Sequence, residues 1–580
     1  MFAPIQKELD VVASAKEVNV GQLILDYVYE HEQKKARQVF LTQPIGNGQV
    51  NEYTWAETMG QARRMATYLG SLGFERGARI AILSKNTAHF MMAELAIWMA
   101  GFTTVAIFPT ESAKTIEFVL QHSGASLLFV GKLDTFEQQV GAIPAELPCV
   151  SLPLAPSRAL KSYPSWGSIV AQTAPISGRP QRRGDELMFI VYTSGSTGTP
   201  KGVMHTFERG TFASTSLARE VFATSMPKDG KIRVLSYLPL AHIFERAVIE
   251  CVGFVLGGVH IFFAESLDTF RSDLVRARPT HFISVPRLWL KFQQGILEKI
   301  PQRKLDLLLA IPVVRTLVKR KILKQLGLDQ VVEAGTGSAP MPVPLVQWYR
   351  RLGLNLSEAL GMTEDFIYSH SSRGKNAQPG YVGVPFPGVE RRIAPDGELQ
   401  LRSPCLFVGY YQRPDLDAEA FTEDGFFKTG DTAEIGPGGR LRLTGRKKET
   451  FKTAKGKFVA PAPIEAIINE SAAVDFSIVT GVGQAAAYAI VVPAEGLRPL
   501  IGQSEVRESF DADMKAVLAR VNASVADYEQ LRMIVVTPEP WTIENGCLTP
   551  TLKIKRSVIE ARANAAVDTW FAKPGPVIWA

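Results

Sequence analysis

Residues Tyr192, Thr193, Ser194, Gly195, Ser196, Thr197, Gly198, Thr199, Pro200, Lys201 and Gly202 directly follow an apolar run at 187–191. A buried strand that ends in hydroxyls, glycines and a lysine suits a polyphosphate. Glycine lets backbone N–H groups approach an anion, hydroxyls donate further hydrogen bonds, and lysine neutralises charge. The ordinary alternative is a polar surface loop with a solvated lysine, but this order of residues is unusual for one. The loop also differs from the phosphate loop that needs Gly before its Lys and Ser or Thr after it. Here Pro200 precedes Lys201 and Gly202 follows it.

Further segments bear on the same chemistry, although each is weak alone. Thr363-Glu364 is an isolated hydroxyl and carboxylate, Thr429-Gly430-Asp431 reads as a turn, and Gly335-Thr336-Gly337-Ser338-Ala339-Pro340 could be any turn after a strand. Their order along the chain gives them meaning. Together with the loop, they resemble the motifs of the adenylate-forming (AMP-binding) superfamily, which includes acyl-CoA synthetases, luciferases and adenylation domains of peptide synthetases. The resemblance runs from about residue 50 to about residue 560 and is strongest to long-chain fatty acid–CoA ligases.

The resemblance implies roles for particular residues. Thr193, Ser194, Gly195, Ser196, Thr197, Gly198 and Lys201 would hold the β- and γ-phosphates of ATP. Gly337, Ser338, Ala339 and Pro340 would border adenine and the acyl pocket. Glu358, Ala359, Leu360, Gly361, Met362 and Thr363 would continue the nucleotide site, with Thr363 at the α-phosphate. Glu364, with Thr193, would hold Mg²⁺, a hard cation that takes oxygen ligands and bridges phosphates. The family usually has Tyr where Leu360 stands, a ring that stacks on adenine. Asp431 would accept hydrogen bonds from both ribose hydroxyls, and Arg446 would also reach the ribose. In the segment Tyr237 to Arg246, His242 would approach the substrate carboxylate on the acyl and thiol side, while Glu245 and Arg246 read as a structural ion pair. Gly445 would be the hinge between two domains, since glycine absorbs a large φ/ψ change at little steric cost. Lys455, Gly456 and Lys457 would lie beside the pantetheine path, against the ordinary reading of a solvated basic edge. Lys553 would be the adenylation lysine.

The reaction so implied has two halves. A carboxylic acid, expected to be a medium- or long-chain fatty acid, attacks the α-phosphate of ATP and releases pyrophosphate. The resulting acyl-AMP then passes its acyl group to coenzyme A. The catalytic set is Lys553, Glu364, Thr193 and His242, and the co-reactants are ATP, Mg²⁺ and coenzyme A. The same chemistry on an aryl, terpenoid or branched acid is one alternative. Loading of the phosphopantetheine thiol of a separate carrier protein is another. A nucleotide-binding scaffold without catalysis is the third, and the presence of Lys201, Glu364, Asp431, Arg446 and Lys553 argues against it.

These residues need a scaffold that brings distant segments together. Helical and strand patterns alternate from 51 to 130: a helix at 55–72, strands at 79–83 and 103–107, and helical pattern at 94–99. The rhythm returns at 231–340, with a strand at 331–334, and such alternation predicts α/β architecture with largely parallel sheet. From about 385 to 444 the chain is dense in Gly, Pro and Asp between short strand-like runs, predicting a small β-barrel-like subdomain. After Gly445 the pattern becomes α+β, with a proline-started helix after Pro463, strands at 477–480, 489–492 and 533–536, and a helix bearing Met514, Val517, Leu518 and Val521 on one face. The expected fold is a large α/β N-terminal domain over 1–444, made of two β/α sheet subdomains and the β-rich part, with a smaller mobile α+β C-terminal domain over 446–580.

Bulk properties fit an enzyme of anionic small molecules. The chain has 580 residues, a formal net charge of +7 and four cysteines without metal-ligand spacing. Reduced thiols and a cytoplasmic setting are expected. The positive charge favours nucleotides, coenzyme A phosphates or acidic lipid. No dense Lys/Arg block with interleaved aromatics is present, which excludes nucleic acid as the expected partner. Residues 1–10 lack the apolar core of a signal peptide. The apolar stretch at 247–264 reads as a buried helix followed by a buried strand rather than a membrane span. The segment 304–327 is basic and amphipathic. Its ordinary reading is a helix pair covering the core, and its functional reading is peripheral contact with the inner face of a membrane. Monomer and homodimer both remain open.

Overall fold

A computed structural model describes residues 21–194, 199–374, 377–549 and 552–580. The central sheet has seven strands, in the order Gly409–Tyr410, Pro200–Thr206, Leu187–Ser194, Thr103–Ile107, Arg79–Leu83, Ala125–Val130 and Cys149–Ser151. The last five run parallel, and the first two are antiparallel additions at one edge. A second sheet begins with His281–Ser284, Glu333–Thr336 and Leu356–Leu360 in parallel, then adds His370–Ser372 and Val384–Pro385 in antiparallel fashion. A third joins Gln49–Thr54, Val39–Gly46, Val259–Phe263 and Ile232–Ser236. The β-rich part is a four-stranded antiparallel sheet of Glu390–Ile393, Glu398–Arg402, Phe427–Ile435 and Leu441–Arg446. The C-terminal part has its own sheet, Val474–Thr480, Ala487–Pro493, Leu531–Val536 and Val577–Trp579, with its own apolar cluster around Met514, Val517 and Val521. A large α/β body and a smaller α+β body result, as expected.

Local chemistry accounts for the element boundaries. The helix Trp55–Ser71 starts at a capping box: Glu57 N–H donates to Thr54 Oγ1 at 3.2 Å, and Thr54 N–H donates to the Glu57 carboxylate at 2.8 Å. The expected helical pattern at 94–99 belongs to a longer helix, Ala88–Met99, buried on every side. Its all-apolar surroundings erase the periodicity that would have marked its start, which Thr87 caps. The strand expected at 331–334 lies two residues later, at Glu333–Thr336. The C-terminal helix begins at Pro461 rather than after Pro463, so Pro461 takes the first helical position. The stretch at 247–264 is a buried helix, ending at Leu256, followed by the strand Val259–Phe263. Among the described residues no helix is long and apolar enough to cross a membrane.

Candidate active site

Thr193 is the next-to-last residue of the strand Leu187–Ser194, and Lys201 is the second residue of the returning strand Pro200–Thr206. The two residues are direct cross-strand partners, so the hairpin holds hydroxyl and ammonium on one face. Gly195, Ser196, Thr197 and Gly198, and the side chain of Ser194, lie outside the described residues. Lys201 Nζ sits 5.0 Å from the centre of the Tyr410 ring, on the next strand. Tyr410 OH in turn donates to Glu364 Oε1 at 2.9 Å. Burial and the Glu364 charge push the phenol up, so it stays a proton donor. The sequence reading missed Tyr410, whose only local mark is a Gly409-Tyr410-Tyr411 run in turn-rich surroundings.

The Thr363-Glu364 segment is held from several directions. His205 Nε2 donates to Thr363 O at 2.7 Å, and Phe407 N–H donates to Glu364 O at 2.7 Å. Asp365 accepts from Met362 N–H at 2.8 Å, and burial raises its carboxyl to about 8. Phe366 and Ile367 follow at φ of +54° and +56°, a left-handed pair in non-glycine residues. Such strain persists only where surrounding contacts over-determine the backbone. Gly361 shows why the segment fits: a Cβ there would lie 2.4 Å from Ile367 Cα. Leu360 is buried at the end of the strand Leu356–Leu360. On the same strand Glu358 accepts Gly380 N–H at 3.0 Å, and burial raises its carboxyl to about 7.

Gly337 ties this strand to the His242 segment. A Cβ at Gly337 would meet Ala359 O at 3.5 Å and the Phe244 ring at 3.6 Å. Ser338 follows at φ +67°, and Ser338, Ala339 and Pro340 are exposed. His242 caps the turn Ile243–Glu245, its Nδ1 accepting Phe244 N–H at 3.2 Å. That bond assigns the ring proton to Nε2. Burial and the nearby Lys553 charge push His242 down to about 3, so the ring is neutral and Nε2–H is a donor. The turn continues into a π-helical segment, Arg246–Cys251.

Asp431 and Arg446 face each other across the strands Phe427–Ile435 and Leu441–Arg446, with Arg446 Nε 2.9 Å from Asp431 Oδ1. Burial raises the Asp431 carboxyl, and the Arg446 charge opposes the rise. Lys553, from the C-terminal body, enters the same cleft. It interacts electrostatically with His242, Asp431, Glu364 and Arg446. Its side chain is exposed, yet the protein atoms around it withdraw enough water to act on its charge. Enclosure first, and the Arg446 charge second, lower its pKa, while Asp431 and Glu364 oppose them.

One pairing expected from sequence is not formed. Glu245 does not pair with Arg246. Adjacent helical residues point in different directions, and each finds its own partners. Glu245 Oε1 accepts Ser236 Oγ at 2.8 Å and Tyr237 N–H at 2.9 Å, and burial raises its carboxyl to about 8. Arg246 instead bonds Glu94 Oε1 at 2.5 Å, with both side chains fully buried. The cleft thus brings together Thr193, Lys201, Glu364, His242, Asp431, Arg446 and Lys553. Lys455, Gly456 and Lys457 sit on the outer surface of the C-terminal body, where Gly456 N–H bonds Thr453 O and Lys457 lies over Tyr528.

The AMP-binding enzyme family matches residues 28–411, and the AMP-binding enzyme C-terminal domain matches residues 448–573. The chain belongs to the AMP-binding enzyme family. Within it, the chain is 28% identical to long-chain-fatty-acid–CoA ligase FadD15 of Mycobacterium tuberculosis, over 94% of this chain and 96% of that protein. It is 29% identical to long chain acyl-CoA synthetase 7, peroxisomal, of Arabidopsis thaliana, over 96% of this chain and 87% of that protein. The fold matches the adenylation domain of carboxylic acid reductase from Segniliparus rugosus, solved with AMP and a co-purified carboxylic acid. The TM-score is 0.78 at 20% identity, over 97% of this chain and 96% of that one.

Tyr410 carries a direct expectation for this AMP-binding enzyme. Tyr410→Phe keeps the ring under Lys201 but removes the donor to Glu364. It should lower kcat/KM for ATP about tenfold, as expected for loss of one hydrogen bond to a charged group. The check is steady-state kinetics with ATP varied, in which KM for ATP should rise.

Proposed function

We propose that this AMP-binding enzyme converts a medium- or long-chain fatty acid, ATP and coenzyme A into acyl-CoA, AMP and pyrophosphate through an acyl-adenylate. The chain is an acid–thiol ligase. The observation that carries the residue-level reading is the meeting of Lys553 with His242, Glu364, Asp431 and Arg446 in one cleft. The fatty acid is supported by the relatives named long-chain-fatty-acid–CoA ligase and long chain acyl-CoA synthetase.

In the first half-reaction an oxygen of the acid attacks the α-phosphorus of ATP, and the bond to the β-phosphate oxygen breaks. Both reactants are anions, so positioning and charge neutralisation supply most of the acceleration. Lys553 bridges carboxylate and α-phosphate oxygens. Nε2–H of the neutral His242 donates to the acid without adding a competing cation. Thr193, Ser194, Ser196, Thr197 and Lys201 hold the β- and γ-phosphates, and Asp431 with Arg446 holds the ribose. Gly337, Ser338, Ala339 and Pro340 border adenine, as do Glu358, Ala359 and Leu360, and Thr363 reaches the α-phosphate. Glu364 offers a half-exposed carboxylate with one oxygen already bonded to Tyr410, a donor set that suits Mg²⁺ together with Thr193 and phosphate oxygens. Among the described residues no three acidic, His or Cys side chains cluster to hold a metal without substrate. The ion, when bound, would offset phosphate charge.

In the second half-reaction the thiolate of coenzyme A attacks the acyl carbon, and AMP leaves with the bonding electrons. Lys553 occupies the space the thiol side needs, so the C-terminal body turns about Gly445 and brings Lys455, Gly456 and Lys457 to the cleft. Arg287 supports this reading. It reaches from the large body to Asp475 of the small one at 2.7 Å and lies 4.1 Å from the centre of the Phe476 ring. Such a contact favours the Lys553-in arrangement. Arg287→Ala should therefore slow adenylation several-fold and leave thiolysis of supplied acyl-AMP unchanged or faster. Single-turnover assays of each half-reaction check this.

The overall function is tested by pyrophosphate release across acids from acetate through palmitate to aromatic acids, with and without coenzyme A. Turnover confined to C8–C18 acids and dependent on coenzyme A supports the proposal. Preference for aromatic acids, or indifference to coenzyme A, overturns it.

A further inference from the structure

The helices Gln302–Ala310 and Pro312–Leu326 form a hairpin whose connection is Ile311 alone. One side is anchored. Leu305, Leu309 and Ile322 are buried in the second apolar core. Trp348 Nε1–H donates to Gln302 Oε1 at 3.1 Å, and Asp306 pairs with Arg351. This much matches two helices covering a core.

The opposite side does not. Leu307 is 70% exposed, Ile311 52%, Val313 74% and Leu317 64%. Side chains four apart share a helix face, and two stripes meet at the turn. The first runs from Arg303 through Leu307 to Ile311, and the second from Val313 through Leu317 to Arg320 and Lys324. Each stripe is apolar beside the turn and cationic away from it. A rise of about 1.5 Å per residue sets these cations roughly 12–20 Å back from Ile311. Arg303, Lys304, Arg315, Arg320, Lys321 and Lys324 are all exposed, and among the described residues none pairs with a carboxylate. Asp306, the one acid in the hairpin, is already paired with Arg351.

We infer that this hairpin tip is a docking surface for anionic lipid bilayers, with Leu307, Ile311, Val313 and Leu317 entering the headgroup–acyl boundary and the cations lying at the phosphate level. The pattern has the dimensions of such a contact: apolar side chains bury about 5–10 Å into the boundary, and basic residues meet the negative surface. Arg315, beside the tip, can extend its guanidinium outward along its apolar stem. A contact between two copies would bring six unpaired cations against six others, so charge favours lipid over a second copy. The surface rests on its own geometry. The fatty-acid reading gives it a use, since such acids partition into bilayers.

The test is co-sedimentation of the full chain with vesicles of phosphatidylcholine and phosphatidylglycerol in a 3:1 ratio, against phosphatidylcholine alone. Binding should require the anionic lipid and fall with salt. R320E/K321E/K324E should weaken it by at least about tenfold, and L307S/V313S/L317S should weaken it at unchanged net charge. Turnover of octanoate, a soluble acid inside the proposed C8–C18 range, should stay unchanged in both variants, which separates this inference from the assigned reaction. Sedimentation velocity of each variant completes the set. Equal binding to neutral vesicles, or binding unaffected by either triple substitution, overturns the inference. So does a dimer that the tip variant dissociates without loss of vesicle binding.

Discussion

Lys553→Ala should lower acid-dependent ATP–pyrophosphate exchange by about three orders of magnitude, while thiolysis of a supplied acyl-adenylate stays within a few-fold of wild type. The magnitude is that of removing one preorganised donor from developing charge, placed in an enclosed cleft where electrostatics are strong. The asymmetry follows from where Lys553 comes from. It belongs to the C-terminal body, where Thr549 N–H donates to Lys553 O at 2.8 Å and Lys553 N–H donates to Thr549 Oγ1 at 3.0 Å, whereas His242, Glu364 and Asp431 belong to segments before Gly445. A rotation about Gly445 that removes Lys553 leaves those three in place for the second step. Its protonation gives a second handle. Enclosure and Arg446 hold its pKa below the ordinary 10.5, so the charged form is lost at lower pH than for a free lysine. Exchange should therefore decline on the alkaline side below pH 10.5, and thiolysis should not share that limb. Equal loss of both half-reactions in Lys553→Ala would remove the assigned role.

Much of this site could be read from the sequence because its parts are short, contiguous and ordered. Thr193 and Lys201 were legible as ends of one loop, and the hairpin makes them cross-strand partners. Glu364, Asp431, Arg446 and Lys553 were legible only through resemblance, since a lone Thr-Glu or Thr-Gly-Asp has no local signature. What escaped was long-range. Tyr410 reaches Glu364 across 46 positions, and Glu94 reaches Arg246 across 152. Nothing near either residue announces its partner. The Glu245–Arg246 reading failed for the same reason, because adjacency in sequence stood in for adjacency in space. The fold followed similar rules. Alternating apolar runs gave strands such as Arg79–Leu83 and Thr103–Ile107 at their full extent. The fully buried Ala88–Met99 helix lost its first half because a helix apolar all round has no face to detect.

Glu94→Gln should destabilise the protein by about 3 kcal/mol or more, whereas Glu250→Gln should be neutral near pH 5 and stabilising at pH 8. The two carboxyls share one fully buried cluster with Arg246. Arg246 bonds Glu94, lies 4.7 Å from the centre of the Phe189 ring, and donates from Nε to Leu240 O at 3.1 Å. Neutralising Glu94 would leave that guanidinium buried without a counter-charge, a loss of about 3–5 kcal/mol for comparable pairs. Because Arg246 holds the segment that presents His242, adenylation should fall along with stability. Glu250 is different. Burial, and then the Glu94 charge, push its pKa well above 4.5. As carboxylates, Glu250 and the second oxygen of Glu94 would both be acceptors without a donor. A proton on Glu250 converts that pair into donor and acceptor, so one cation faces one net negative charge. The sign of the pH dependence follows. The folded chain holds this proton and the unfolded chain releases it above about 4.5, so the contribution of Glu250 is full below that pH and declines as pH rises toward the folded pKa. The decline is about 1.4 kcal/mol per pH unit. Glutamine keeps the donor without the titration. Urea unfolding of both variants at pH 5.5, 7 and 8 reads the difference directly. If Glu250→Gln instead costs stability equally at every pH, Glu250 is ionised in the core and the charge assignment is reversed.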